Sequence, residues 1–162
     1  MLAFASCKKS DKKSNSSGTN TITADVGGST VNFNIGVTGL LSTGQGSYVL
    51  FISGATGTGS NEQSMQIGID SQKPIAAGTY TLSSSTSPDA TAFPQLTYGI
   101  GATSPTAFMT DGTNVTTVTI TSISNTNVQG TFSGVLTSAL DGTTTKSITN
   151  GKFNVALIVH AQ

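Results

Sequence analysis

Val115-Thr116-Thr117-Val118-Thr119-Ile120-Thr121-Ser122-Ile123 and Val128-Gln129-Gly130-Thr131-Phe132-Ser133-Gly134-Val135-Leu136 flank the short polar segment Asn125-Thr126-Asn127. Both runs alternate apolar and polar residues with period two, the spacing of strands with one buried face, and Asn is well suited to the turn between them. Val118 and Ile120, with Ile123 beyond them, are expected inward on the first strand. On the second, Phe132 is the aromatic that faces the core, and the flanking Gly130 and Gly134 let it fit at a tight bend. Asp141-Gly142 then signals a turn, and Ile148 to Val159 reads as a long closing strand with a bulge or bend at Asn150-Gly151.

The same period extends back along the chain. Thr21 to Val26 and Ser29 to Val37 flank Gly27-Gly28, the signature of a two-residue hairpin, with Val31, Phe33, Ile35 and Val37 on one core-facing side. Tyr48-Val49-Leu50-Phe51-Ile52 is apolar at every position, which predicts a central strand covered on both faces, or one lying between a second sheet and a loop. Ser64 to Ile69 places Met65, Ile67 and Ile69 inward, Pro74 to Leu82 turns into a strand, and Gln95 to Ile100 is another. Gly54 to Ser60 and the Ser/Thr/Pro-rich stretch Ser83 to Phe93 read as loops. Helical spacing is absent, and so is a fixed repeat. The expected fold is all-β, an antiparallel β-sandwich or partly open barrel of about nine or ten strands, in one domain over residues 20–162.

Composition narrows the function classes. Of 162 residues 9% are charged, none is Arg, and the formal net charge is zero. That zero hides an asymmetry, because Lys8, Lys9, Lys12 and Lys13 sit together near the start. From Ser14 onward Lys73, Lys146 and Lys152 face Asp25, Glu62, Asp70, Asp89, Asp111 and Asp141, leaving a net charge of about −3. A nucleic-acid binder needs clustered Lys and Arg to neutralise phosphates, so that class is not expected. The longest apolar runs, Val155 to Val159 among them, are five residues long, far short of the roughly 20 residues a spanning helix requires.

The opening Met1-Leu2-Ala3-Phe4-Ala5-Ser6-Cys7 ends in small residues followed by the sole Cys, after which residues 8–18 are polar and carry no large apolar side chain. Phe4-Ala5-Ser6-Cys7 resembles the bacterial lipobox, with Phe4 where an aliphatic residue is usual. A secretion signal needs a basic region and about 7 to 15 apolar residues, so residues 1–6 are expected to be the remnant of a longer signal peptide. Residues 7–19 are then the lipidated Cys and a disordered, flexible tether. The Cys7-Lys8-Lys9-Ser10-Asp11 opening is similar to mature lipoproteins of Bacteroidota-type bacteria. That resemblance implies diacylglycerol on the Cys7 sulfur, a further acyl chain on its amino group, and a place at the outer membrane, on its surface or periplasmic face.

The domain carries a second likeness. Ile75-Ala76-Ala77-Gly78-Thr79-Tyr80, Val118-Thr119-Ile120-Thr121, Val128 to Gly134 and Ile148-Thr149-Asn150-Gly151-Lys152-Phe153 resemble an uncharacterised family of small Bacteroidota lipoproteins, over roughly residues 20–159. It implies a β-rich envelope domain of unknown function.

The sequence offers few groups for chemistry. His160, the sole imidazole, lies near the end of the last strand, where a base has no orienting partner and a zinc site no companions. No two carboxylates of the domain lie within seven positions of one another. Asp111-Gly112-Thr113-Asn114 and Asp141-Gly142-Thr143 contain oxygen ligands that calcium accepts, but both are complete as turns without a metal. No catalytic residue, metal ligand or cofactor site is therefore assigned. Sugar-binding β domains often stack an aromatic plane on a pyranose ring, which makes Tyr80 and Tyr98 the candidate glycan contacts. The expected function is a non-catalytic structural, adhesive or accessory envelope module. A glycan-binding accessory role in polysaccharide uptake is the alternative, with a glycan or an envelope protein as partner.

Overall fold

The computed structural model describes residues 19–86, 90–101 and 106–161. Cys7 and residues 1–18 lie outside them, as do 87–89 within the stretch Ser83 to Phe93 expected as a loop, whose last two residues, Ala92 and Phe93, instead begin a strand. Among the described residues eleven strands form: β1 Thr21–Val26, β2 Ser29–Asn32, β3 Ile35–Gly44, β4 Ser47–Ala55, β5 Gln63–Ser71, β6 Gly78–Leu82, β7 Ala92–Ile100, β8 Thr106–Met109, β9 Thr116–Ile123, β10 Asn127–Ser138 and β11 Thr145–Ala161. The domain is all-β, and the strand count exceeds the expected nine or ten. They make one sheet in the order β2-β1-β11-β3-β4-β5-β7-β8-β10-β9-β6, and β11 also pairs β10, so seven of the strands form a closed circuit.

Two strands serve as hubs. β10 pairs along one side with β11, from Asn127 opposite Ala156 to Thr137 opposite Thr145. Its other side pairs β9 as far as Gly134 and then β8 at Thr137 and Ser138. β11 likewise pairs β1 from Ile148 to Asn154 and β3 from Leu157 to Ala161. The β11–β3 pairing is parallel, against the expectation of a wholly antiparallel sheet. It arises because β1 turns back through the Gly27-Gly28 hairpin and the chain then steps across β1 to reach β11. At the step the Phe33 N–H donates to the Ile22 carbonyl at 2.8 Å, and the Ile22 N–H donates to Asn34 Oδ1 at 3.0 Å. Ser29 to Val37 is therefore two strands, β2 and the start of β3. Phe33 stays in the core, but Ile35, expected beside it, is 52% exposed, because the step and the positive φ of Gly36 break the alternation.

The inward residues otherwise follow the sequence pattern. Ile22, Leu50, Ile52, Met65, Ile67, Ile69, Val118, Val128, Leu136, Ile148 and Val155 are fully buried. β4 departs from its reading: Leu50 and Ile52 are buried, whereas Val49 and Phe51 are exposed on the outer side. An apolar run thus does not imply two covered faces. The expected bulge is present, with Asn150 at φ 52° and the register shifting there against both β1 and β10. Two elements gave no strand signal that was read: the far half of β3, which ends in a Gln45-Gly46 turn with positive φ at both residues, and the four-residue β8.

Glycine seats two aromatics at the β10–β11 junction. Phe132 lies opposite Gly151 and Phe153 opposite Gly130, with ring centroids 6.4 Å apart. A Cβ on Gly151 would lie 2.7 Å from the Phe132 ring and against its carbonyl oxygen; one on Gly130 would lie 2.5 Å from the Phe153 ring and against the Thr119 carbonyl oxygen. Gly130 therefore accommodates Phe153 across the ladder rather than its own neighbour Phe132. Overpacking of this kind costs about 1–3 kcal/mol. Gly151→Ala and Gly130→Ala are each expected to lower the thermal midpoint by several degrees, whereas Gly57→Ala, in open space, leaves it level or higher. Equal midpoints for all three variants would contradict the packing described.

Candidate functional site

The outer side of β6-β9-β10-β11-β1-β2 carries a row of polar side chains six strands wide. Thr79 lies opposite Thr119, Thr119 opposite Thr131, Thr131 opposite Lys152, Lys152 opposite Thr23, and Thr23 opposite Asn32. The Thr79 and Thr119 hydroxyls are 3.1 Å apart. A second row runs Thr81, Thr117, Ser133 on one side of the bulge and Thr149, Asp25, Thr30 on the other. A third runs Ser122, Gln129, Asn154, Thr21. Strands lie about 4.8 Å apart, and same-face residues about 7 Å apart along a strand. The surface is therefore a grid of hydroxyls and amides with few charges, which suits a neutral, hydroxyl-bearing partner better than a polyanion.

A depression of about 290 Å³ opens in this surface, lined by Thr117, Thr131, Ser133, Asn150 and Lys152 over the Phe132–Gly151 contact. Asn150 is fixed there because its amide donates to Asp25 Oδ2 at 2.7 Å, while Thr30 donates to Asp25 Oδ1 at 2.6 Å. These two bonds hold the Asp25 carboxyl below its usual range, Asn150 contributing most. One carboxylate thereby ties β1, β2 and the β11 bulge. Thr117 and Thr119 alternate with buried Val118 and Ile120 on β9, as period-two spacing requires. The other ranks of the grid come from strands far apart in the chain, so period-two spacing alone could not assemble them.

The Tyr candidates do not form an aromatic platform. Tyr98 is 3% exposed, meets Phe33 edge-on at 6.4 Å and Phe108 at 6.1 Å, and donates its hydroxyl to Gln63 Oε1 at 2.8 Å. Burial pushes its phenol pKa up. Its ring fills the core because residue 98 shares the inward face of β7 with Leu96. Tyr80 is half-buried on β6, and its hydroxyl is bonded to both the Ala76 N–H and the Ala76 carbonyl. The Tyr98 ring is thus enclosed, and Tyr80 packs partly buried against the core.

The two Asp-Gly segments are turns whose carboxylates accept several local donors. Asp141 accepts from the Thr144 hydroxyl at 2.6 Å and from the Thr143 and Thr144 N–H groups, both at 2.8 Å, which hold it well below the usual carboxylate range. Asp111 accepts from Thr137 at 2.7 Å and from the backbone of Asn114 and Thr113, and is lowered for the same reason. These donors account for both carboxylates as turn acceptors without a metal. His160 is exposed on the outer side of β11, opposite Ser42. Among the described residues no group of three His, Cys, Asp or Glu side chains converges as a metal site.

No family model, curated protein or solved structure matches this chain.

The depressed carboxylates make stability pH-dependent. A folded-state value below the unfolded one, about 3.9 for Asp, gives stabilisation that is present above that pH and is lost as pH falls through the folded value. The thermal midpoint is expected to be level from about pH 7 to 5 and to fall below about pH 4. Asp141→Asn is expected to flatten that acid decline, and a midpoint unchanged down to pH 2 would contradict it.

Proposed function

We propose that this chain is a lipid-anchored, non-catalytic protein of the cell envelope, held to the outer membrane through Cys7, whose domain acts as a structural or adhesive module through its polar outer face. The observation that carries the reading is the six-strand row from Thr79 to Asn32. A single neutral hydrogen bond contributes only about 1 kcal/mol net, so such a surface holds a partner by number and spacing. The carboxylates with lowered pKa values are committed to turns and to the bulge, which supports the non-catalytic reading. The two arcs of the sheet, β2-β1-β11-β10-β9-β6 and β3-β4-β5-β7-β8, are read as the opposed walls of a partly open barrel.

Binding of a neutral glycan is the second reading, favoured by the depression at Asn150 and Lys152. Its volume lies near the lower end of small-molecule sites, about 300 Å³. The contacts would be hydrogen bonds from Thr131, Lys152 and Asn150 to sugar hydroxyls, without aromatic stacking.

Two measurements test these readings. Mass spectrometry of the native N-terminus is expected to find diacylglycerol on Cys7, and an unmodified Met1 would sink the anchor. A glycan array probed with the full chain is expected to show neutral polysaccharides bound, weakened about tenfold by Lys152→Ala with Thr131→Val. Blank arrays would leave the structural role without the glycan one, and released oligosaccharides would overturn the non-catalytic assignment.

A further inference from the structure

A second outer surface breaks the polar rule of the first. Ile158 on β11 lies opposite Leu40 on β3, Leu40 lies opposite Phe51 on β4, and Val49 shares the outer side of β4 with Phe51. Ile158 is 60% exposed, Phe51 37%, and Leu40 and Val49 36% each. Phe51 is uncovered toward β5 because its partner there is Gly68, which has no side chain to lay against the ring. Four large apolar residues thus adjoin on three neighbouring strands. Single exposed apolar residues need no explanation, whereas the largest contiguous patch on a protein is often functional.

The start of the domain is beside this patch. The Asn20 N–H donates to the Asn154 carbonyl at 2.7 Å, and Asn20 Oδ1 accepts from the Ala156 N–H at 2.9 Å. Ile158 is the next outward residue of β11 after Ala156, about 7 Å further on. About a dozen residues separate Cys7 from Asn20, a span on the order of 40 Å when fully extended. Four of them are lysines, which anionic headgroups attract and which offset the acidity of the domain.

We propose that the face formed by Leu40, Val49, Phe51 and Ile158 rests on the lipid bilayer to which the chain is tethered. The proposal rests on the anchor reading for the nearness of the bilayer. Four partly exposed side chains offer on the order of 300 Å², well short of the roughly 800 Å² per partner of a stable protein interface. A second copy is therefore a poor occupant. A bilayer is a suitable one, because the tether raises its effective concentration and shallow insertion of a few apolar side chains is then enough.

The chain has no Trp and only one Cys, which permits a direct test. Full-length protein is coupled through Cys7 to a maleimide phospholipid in vesicles, so that an anchor is present whatever the native N-terminus carries. With Phe51→Trp, brominated acyl chains are expected to quench the emission by about half, as for an apolar face buried about 5–10 Å into the headgroup boundary. Leu140→Trp, in the exposed β10–β11 turn at the opposite end of β11, is expected to stay unquenched, and adding Leu40→Asp with Ile158→Asp is expected to abolish quenching of Trp at position 51. Equal quenching at both positions, or none at position 51, would overturn the proposal. Blue-shifted, concentration-dependent emission at position 51 before vesicles are added would assign the face to a second copy and overturn it as well. Acylation of the native Cys7 is read separately by mass spectrometry, so loss of either idea leaves the other measurable.

Discussion

The structure depends on the pairing of β11. A strand buried in a sheet must have both rows of backbone N–H and C=O groups satisfied, and each orphan costs free energy comparable to a lost hydrogen bond. β11 meets this over residues 148–154 by pairing β10 on one side and β1 on the other, and from Leu157 onward it passes to β3. That handover joins the two arcs of the sheet, and β10 repeats it with β9 and β8. Closure removes edges that would otherwise be exposed, leaving β2 and β6 as the ends of the strand order.

Each handover leaves a place where the chain steps from one strand position to the next, and polar side chains secure both. Asn34 takes the Ile22 N–H at the β2–β3 step. At the β8–β9 step the Thr110 hydroxyl accepts from the Leu96 N–H and pairs with the fully buried Thr116 hydroxyl at 3.2 Å, while Asp111 accepts from Thr137. Buried hydroxyls are tolerated because they are bonded. Three of the carboxylates of this protein serve the architecture in the same way. Asp25, Asp111 and Asp141 stay ionised because their donors favour the charged form, and a carboxylate held in that way is a poor proton donor.

Once the core and the steps are secured, the outward side chains remain, and β11 divides them. Lys152 and Asn154 belong to the polar grid, Ile158 to the apolar patch, and Asn20 joins the strand between them. The point where the N-terminal segment meets the domain therefore places both surfaces within a few residues of each other. A polar grid offers many weak, directional contacts, and an apolar patch offers area without direction. The two differ in the partner that each can hold.

Much of the fold was legible in the sequence because period-two alternation is a local property: Val118, Ile120, Phe132, Met65, Ile67 and Ile69 are inward where their spacing put them, and the Gly27-Gly28 hairpin and Asn150 bulge stand where their residues require them. Local pattern also fixed the charge asymmetry and the single Cys after small residues. It could not say which strands become neighbours. Ile35 fell outside the core because a step across β1 interrupts the alternation, Phe51 was uncovered because Gly68 is its partner, and Tyr98 was buried because β7 turns it toward Phe33 and Phe108. The grid and the patch are likewise sums over strands distant in the chain. Sequence by itself determined that the chain forms strands and which side of most of them is apolar; only the tertiary structure decided what each outer side lies beside, because adjacency is set by long-range backbone pairing and not by the residues next along the chain.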